Sequence, residues 1–487
     1  MSSPFISPDA IRSLFCSALS SMYRTEVPLY GDLVQLVDEV NAEAIAKHDG
    51  FEGEELKREM EENRLKVERH GAIRVGKPSE LHTLRRLFAL MAMHPVNYYD
   101  LSIAGLPVHA TAFRPITPDS LTINPFRVFT SLLREDLIED SRVREITRER
   151  LAQREIFQRE TVELITKAES QGGLTEAEAK ELVRFAMETF RWQSDALVEK
   201  DVYDELKDAH SLVADIVAFK GPHINHLTPR TLDIDAVQAR MPEKHIESKH
   251  VIEGPPNRQC PILLRQTSFQ AVQEPIYFPD PRVADGKVVG FHRARFGEIE
   301  QRGVALTPAG LELYQRLMAD AERELAAVAK ELAGRPVDNA TRQGVLQKHF
   351  QAFPDTWEEL RARQLAYFRY VRSTRATRRP SMLEGTSQPI DTLIDQGIIR
   401  VEPIVYEDFL PASAAGIFHS NLGDLKNLTI RQGGPEKEAF EAALGAKVMD
   451  GNALYQAQQL ESMTGMLESM RSNVRANVGK GGVQSVF

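Results

Sequence analysis

Along this chain, blocks with the 3.6-residue period of helices alternate with short stretches of period two, and this alternation constrains the fold most strongly. No internal repeat and no long low-complexity segment interrupts the pattern. Short strands scattered among many helices make an α+β protein, with a modest sheet or barrel wrapped by helices. Residues 30–67 read as helices broken near Asp49-Gly50. Residues 67–75 read as a strand, with Val67, Ile73 and Val75 on one face and Glu68, His70, Ala72 and Arg74 on the other. Pro78-Ser79 opens a helix to about Met93, and 106–113 is extended. Residues 127–219 read as a helical layer with a break at Gly172-Gly173, ended by Gly221-Pro222. Further strands are expected at 224–228, 262–272 and 293–302. Thr307-Pro308 is a helix start, with Thr307 as N-cap, Pro308 at the first helical position and Leu306 against Leu311 as a hydrophobic staple; this helix runs to about Leu332. Residues 357–372 read as helix, 398–406 as strand, 408–420 as a loop of small residues, 436–446 and 454–470 as helices, and 479–487 as a frayed tail. With no clear linker, the expectation is one catalytic unit over 1–487. Its barrel strands would come from about 66–116, 222–303 and 396–420, with helical elaborations at 307–374 and 436–472.

The 487 residues are 42% hydrophobic and 27% charged, the balance of a globular chain able to bury a large core. A formal charge of −10 and a pI near 5.8 argue against a general nucleic-acid binder, which needs a basic face, while leaving room for a local basic pocket. Cys16 and Cys260 cannot build a disulfide framework and read as reduced thiols. No run approaches the roughly 20 apolar residues of a membrane helix. Residues 1–24 lack the basic start and unbroken apolar stretch of a secretory signal. The expectation is a cytoplasmic protein without membrane partners.

No Walker loop, paired CxxC, HExxH or GxSxG motif stands where it would matter, so the 13 histidines are the informative residues. His48, His82, His94, His210, His245, His250 and His349 fall on helical or polar surface stretches and receive no role. His70 lies mid-strand on a polar face opposite an apolar one, so that face either meets solvent or lines a cavity. Arg74 shares it; at ~3.3 Å per residue the two Cα atoms stand about 13 Å apart, so their tips can converge on the two ends of a small diacid. His223 and His226 would share a face on a helix, but Gly221-Pro222 disfavours one. On a strand they point to opposite sides, which leaves one as a ligand and the other to stack or hydrogen-bond elsewhere, or both as ordinary strand-entry residues. Glu298 and Glu300 share a strand face, and two such carboxylates repel unless a cation, Arg302 or a metal, lies near. Strand parity does not separate them. His292 and Arg293 are spare candidates. Two histidines and one carboxylate leave three coordination positions open, the facial triad of non-haem ferrous oxygenases.

Phe296-Gly297-Glu298-Ile299-Glu300-Gln301-Arg302 resembles the Phe-x-Glu-Ile-x-Gln-Arg strand of 4-hydroxyphenylpyruvate dioxygenase and hydroxymandelate synthase, where the glutamate binds iron. More closely, the chain resembles the 2-oxoadipate dioxygenase/decarboxylase (D-2-hydroxyglutarate synthase) family over nearly its whole length. The resemblance is carried by Arg69-His70-Gly71-Ala72-Ile73-Arg74, His223-Ile224-Asn225-His226-Leu227-Thr228, the Glu298 strand, and residues 406–418. It implies a half-open β-barrel of vicinal-oxygen-chelate type wrapped by many helices. It implies Fe(II) held by His70, His226 and Glu298, and Arg74 as the anchor of a substrate carboxylate. Substrate would also touch His70, His226 and the backbone at Ala412-Ser413. The implied reaction takes a 2-oxo dicarboxylic acid and O2, decarboxylates 2-oxoadipate, and hydroxylates the same molecule to (R)-2-hydroxyglutarate and CO2, in lysine catabolism. Another metal-dependent enzyme of the superfamily, ring-cleaving or zinc-dependent, and a non-catalytic dicarboxylate sensor are the alternatives.

Overall fold

Alternation of side chains along residues 68–75 sends Ile73 and Val75 into an apolar core and leaves His70, Ala72 and Arg74 on the opposite face. In the computed structural model, which describes residues 4–47, 64–332, 337–373, 389–410 and 434–478, this segment is strand β1 (Glu68–Val75). The strands that follow are β2 (His94–Asp100), β3 (Val108–Arg114), β4 (Arg127–Leu133), β5 (His226–Pro229), β6 (Leu264–Ser268), β7 (Glu274–Pro279), β8 (Lys287–His292), β9 (Phe296–Arg302), β10 (Phe368–Arg372) and β11 (Ile399–Pro403). Seven of them join in the order β2-β3-β4-β1-β5-β9-β6. β1 pairs parallel with β4 and antiparallel with β5, and β5 pairs parallel with β9. The sheet curls into a half-open barrel wrapped by helices, so the expected α+β class holds.

The convex face of the sheet is closed by the helices Pro8–Glu26, Pro28–Lys47, Pro78–Ala89 and Glu176–Ala186. Phe15, Leu19, Leu33, Leu84, Phe88 and Leu182 pack there with Ile73, Leu227 and Ile299. Each such fully buried side chain contributes roughly 1.5–3 kcal/mol. Ser7 caps the first of these helices through its hydroxyl, and Pro8 occupies the first turn. From the same helix the Tyr23 hydroxyl reaches two carbonyl oxygens, of Asn225 at 3.0 Å and of Phe296 at 2.8 Å. It thereby joins β5 and β9, whose ladder sets His226 opposite Phe296 and Leu227 opposite Gly297, with a further bridge between Arg230 and Glu300. A further apolar cluster joins Pro308–Glu331 and Asn339–Phe350 to β10, β11 and the helix Gly451–Val478. Thr307 caps Pro308–Glu331 as expected, accepting from Gly310 N–H, and Leu306 and Leu311 belong to that cluster. Among the described residues, no helix is long and apolar enough to cross a membrane.

Four expectations need correction. Residues 127–219 are not all helical: Arg127–Leu133 is β4, buried along its whole length between β3 and β1. Residues 357–372 hold only a short helix, Trp357–Ala362; Gln364 then takes a positive φ of 53° and the chain continues as β10. β11 pairs with β10 in a separate two-stranded sheet instead of joining the barrel. β7 and β8 form a hairpin that the sequence reading passed over, and the strand expected from residue 293 begins at Phe296.

Gly297 permits the helices behind β9 to come close. A Cβ there would stand 2.4 Å from Phe269 Cε1 and 2.9 Å from side-chain atoms of both Leu33 and Tyr30. Gly297→Ala should therefore overpack this wall and lower stability by about 1–3 kcal/mol. Thermal denaturation checks this, and an unchanged midpoint would show that the aromatic wall yields.

Candidate metal centre

The sheet register brings the three strands' polar faces together. Ala72 of β1 lies opposite His226 of β5, and His226 lies opposite Phe296 of β9. With side chains alternating, His70, Ala72 and Arg74, then His226 and Thr228, then Phe296, Glu298, Glu300 and Arg302 share one side of the sheet. One donor atom each from His70, His226 and Glu298 lies within 4.8 Å of the others. The three residues are 1%, 1% and 0% exposed, so the polar face of β1 is buried at His70 and does not meet solvent there.

His70 is held at both ring nitrogens. Its Nε2 is 3.1 Å from Glu298 Oε1 and 3.1 Å from Thr228 Oγ1, while Nδ1 is 2.8 Å from Glu300 Oε2. Burial opposes a charge on His70, but Glu300 and Glu298 outweigh it and raise its pKa; with a cation on Nε2, the Nδ1 proton would face Glu300, the tautomer a metal-binding imidazole needs. Gln266 donates through Nε2 to Glu298 Oε1 at 2.8 Å. The Phe409 ring stands edge-on to His70 at 4.8 Å, and the Phe296 ring lies 4.8 Å from His226.

The fit to a cation rests on atoms that lack partners. Both ring nitrogens of His226 and Oε2 of Glu298 are buried without a hydrogen-bond partner among the described residues. Leaving such groups unsatisfied costs about 1–3 kcal/mol each, and more for a charged group. A divalent ion bound by two imidazoles and a carboxylate removes that cost. Electrostatics agree. Burial, helped by nearby His70 and Arg74, holds His226 well below its ordinary pKa, so one ring nitrogen keeps an available lone pair. Burial raises Glu298 against the pull of His70.

Glu298 and Glu300 part company here. Burial would raise Glu300, but Arg302 and His70 outweigh it and hold its carboxyl well below the usual range. Arg302 engages both Glu300 oxygens, with Nη2 at 2.9 Å from Oε2 and Nε on Oε1. Glu300 is thus the carboxylate that orients His70, and Glu298 is the one within the triad.

The other sequence candidates divide in two. Arg74 is on the His70 face as expected, and its Nη1 donates to Asp215 Oδ2 at 2.7 Å. His223 precedes β5 and turns away from the triad, edge-on to Trp192 at 4.7 Å. His292 lies beside it, 2.9 Å from Asp215 Oδ1 through Nε2. Arg293 is exposed and donates to Gln273. Ala412 and Ser413, and His48, lie outside the described residues. Residues 406–408 lie beside the Glu298 strand, because Arg302 Nη1 donates to the carbonyls of Tyr406 and Asp408 at 2.8 and 2.9 Å.

Sequence reading missed Gln266, Lys249 and Asp215. Lys249 is pushed down to about 8 by burial, against the pull of Glu298 and Glu253. Asp215 carried a usable signal: it is the lone acid in the apolar run Leu212-Val213-Ala214-Asp215-Ile216-Val217.

The model of the 2-oxoadipate dioxygenase/decarboxylase family matches residues 15–421. The chain belongs to the 2-oxoadipate dioxygenase/decarboxylase family. This family lies within the vicinal oxygen chelate superfamily, which agrees with the half-open barrel and its internal metal site. The chain is 50% identical to the 2-oxoadipate dioxygenase/decarboxylase of Pseudomonas putida over 468 residues, covering 96% of this chain and 98% of that one. It is 50% identical to the Escherichia coli enzyme of the same description over 457 residues, covering 94% and 98%. The hydroxyglutarate synthase of Pseudomonas putida in complex with 2-oxoadipate superposes with a TM-score of 0.84 at 46% identity, covering 96% of this chain and 100% of that one.

Proposed function

We propose that this chain binds ferrous iron through His70, His226 and Glu298 and converts 2-oxoadipate and O2 into (R)-2-hydroxyglutarate and CO2. One buried site with three convergent donor groups and partnerless lone pairs carries this reading. Its relatives of known description act on the same diacid. Bound iron would bring the 2-oxo acid and dioxygen together and supply electrons for oxygen cleavage. The atoms balance: the C1 carboxylate leaves as CO2, one oxygen atom completes the new carboxylate at C2, and the other becomes the hydroxyl on C3.

The protein's part is placement and exclusion of water. His70, His226 and Glu298 would supply three donors to the ion, which would leave coordination positions for substrate and oxygen. Phe409 and Phe296 wall the site with apolar rings. Arg74, on the same strand as His70, takes the distal carboxylate, since a guanidinium binds a carboxylate bidentately. Ala412 and Ser413 complete the substrate contacts. The two free, buried cysteines suit a cytoplasmic setting.

Oxygen uptake after anaerobic loading with ferrous iron, measured across a series of 2-oxo acids with chiral analysis of product, tests the reading. Equal activity with zinc, or no oxygen uptake with 2-oxoadipate, would replace it with another metal-dependent reaction. Diacid binding without turnover would make the chain a sensor. Arg74→Ala should lower kcat/KM for 2-oxoadipate by the equivalent of about 2–5 kcal/mol. The iron content should stay at one equivalent, read by metal analysis of the same sample; normal turnover would remove Arg74 from the site.

A further inference from the structure

His223 and His292, which the metal site leaves unused, meet around one buried carboxylate, Asp215, on the helix Ser211–Val217. Asp215 Oδ1 is 2.9 Å from His292 Nε2 and 3.5 Å from His223 Nε2, and Oδ2 accepts from Arg74 Nη1 at 2.7 Å. The neighbouring bonds assign the tautomers. The Tyr203 hydroxyl donates to His292 Nδ1 at 2.8 Å, which leaves the Nε2 proton of His292 for Asp215. Asn225 Nδ2 donates to His223 Nε2 at 3.1 Å, so that ring is neutral and its close nitrogen is already an acceptor. His292 lies flat beside Trp192, with an interplanar angle of 12°. Among the described residues, only His70, His226 and Glu298 satisfy the geometry of a metal cluster, so this second group is not another metal site.

We infer that Asp215 is a positioning residue: it holds the Arg74 guanidinium in the orientation that receives the distal carboxylate, and so makes the pocket selective for diacids over monoacids. The inference rests on the proposed role of Arg74 as substrate anchor. A free arginine side chain carries about 2 kcal/mol of rotamer entropy, and a guanidinium has five N–H donors, so a bond to Asp215 orders it without exhausting it. Asp215 suits that task because it is itself immobile, set in an apolar helix and tied through His292 to Tyr203. Burial alone would raise its pKa, but the Arg74 guanidinium and the hydrogen bond from His292 hold it below the usual carboxylate range, so the mount is an anion. Arg74 also stands between the two clusters, since its charge acts on His226 as well as on Asp215.

The test compares wild type, Asp215→Asn, Asp215→Glu, His292→Phe and Arg74→Ala, each loaded with ferrous iron, on 2-oxoadipate and on the monoacid 2-oxohexanoate. Asp215→Asn keeps the side-chain shape, so it should raise KM for 2-oxoadipate about tenfold or more while kcat falls less, and cut the diacid preference by a similar factor. Asp215→Glu should restore part of that preference, and His292→Phe, which keeps a ring beside Trp192 but removes the donor, should give a milder loss of the same kind. If Asp215→Asn keeps the wild-type preference, or binds the diacid more tightly, while Arg74→Ala loses the preference, the positioning role is wrong and the anchor reading stands. If Arg74→Ala keeps the preference, the anchor reading fails and takes this inference with it. Equal damage in the Asn and Glu variants, with kcat and KM affected alike, would reduce Asp215 to a structural residue. Should Asp215→Asn fail to fold, His292→Phe decides the question: a wild-type diacid preference in that variant overturns the inference.

Discussion

Glu298→Ala should leave the protein folded but without stoichiometric metal, and with no measurable oxygen uptake on 2-oxoadipate. The variant removes one of three donors in a site where no other described carboxylate meets the same geometry. Glu300→Gln, two residues away on the same face, should behave differently. Glu300 orients His70 from behind, and loss of such an orienting carboxylate weakens metal affinity by about 10–100-fold without abolishing binding. Anaerobic titration with ferrous iron, read by metal content and by oxygen consumption, separates the two. A Glu298→Ala protein that retains a full equivalent of iron, paired with a Glu300→Gln protein that has none, would reverse the assignment.

Glu407→Gln is expected to be the most destabilising of the conservative substitutions near the site. Its carboxylate is buried where Arg69 Nη2 approaches to 2.8 Å and Arg127 also donates. Burial opposes ionisation there, yet Arg69, Arg127 and Arg302 pull the group down to about 2, so it is an anion at any pH of interest. A neutral amide would strand two buried guanidiniums that cannot lose their protons. Removing one partner of a buried pair costs about 3–5 kcal/mol, whereas most exposed pairs contribute under about 1 kcal/mol. Differential scanning fluorimetry of Glu407→Gln beside an exposed-pair control such as Glu163→Gln should show a large loss for the first and none for the second. Equal melting of the two would mean that solvent reaches the Arg69–Arg127 cluster.

What could be read from residues alone followed the physics of each segment. β1 was legible because it alternates cleanly, with an apolar face behind and His70 and Arg74 in front. The Thr307-Pro308 helix start was legible because capping is local. β4 was not, because a strand buried on both faces needs no polar face, and Arg127-Val128-Phe129-Thr130-Ser131-Leu132-Leu133 carries no period of two. β10 was hidden by the helical composition just before it; the break at Gln364 is a backbone event with no glycine or proline to announce it. Glu298 and Glu300 have equal parity, so only the third dimension separates them, by giving Glu300 to Arg302. The same limit hid the partnership of Arg74 with Asp215, which joins positions 141 residues apart.

Tyr23 has a consequence for handling the protein. Its hydroxyl spans the carbonyls just ahead of His226 and Glu298, where two ligand-bearing strands begin to pair. The opening helix is therefore a splint for the catalytic strands, although it donates nothing to the ion. Trimming the chain to start at β1 would loosen these strands and also bare the core that Phe15, Leu19 and Leu33 cover, so metal retention and the fold should fail together. Tyr23→Phe would report the same slackening without deleting any residue.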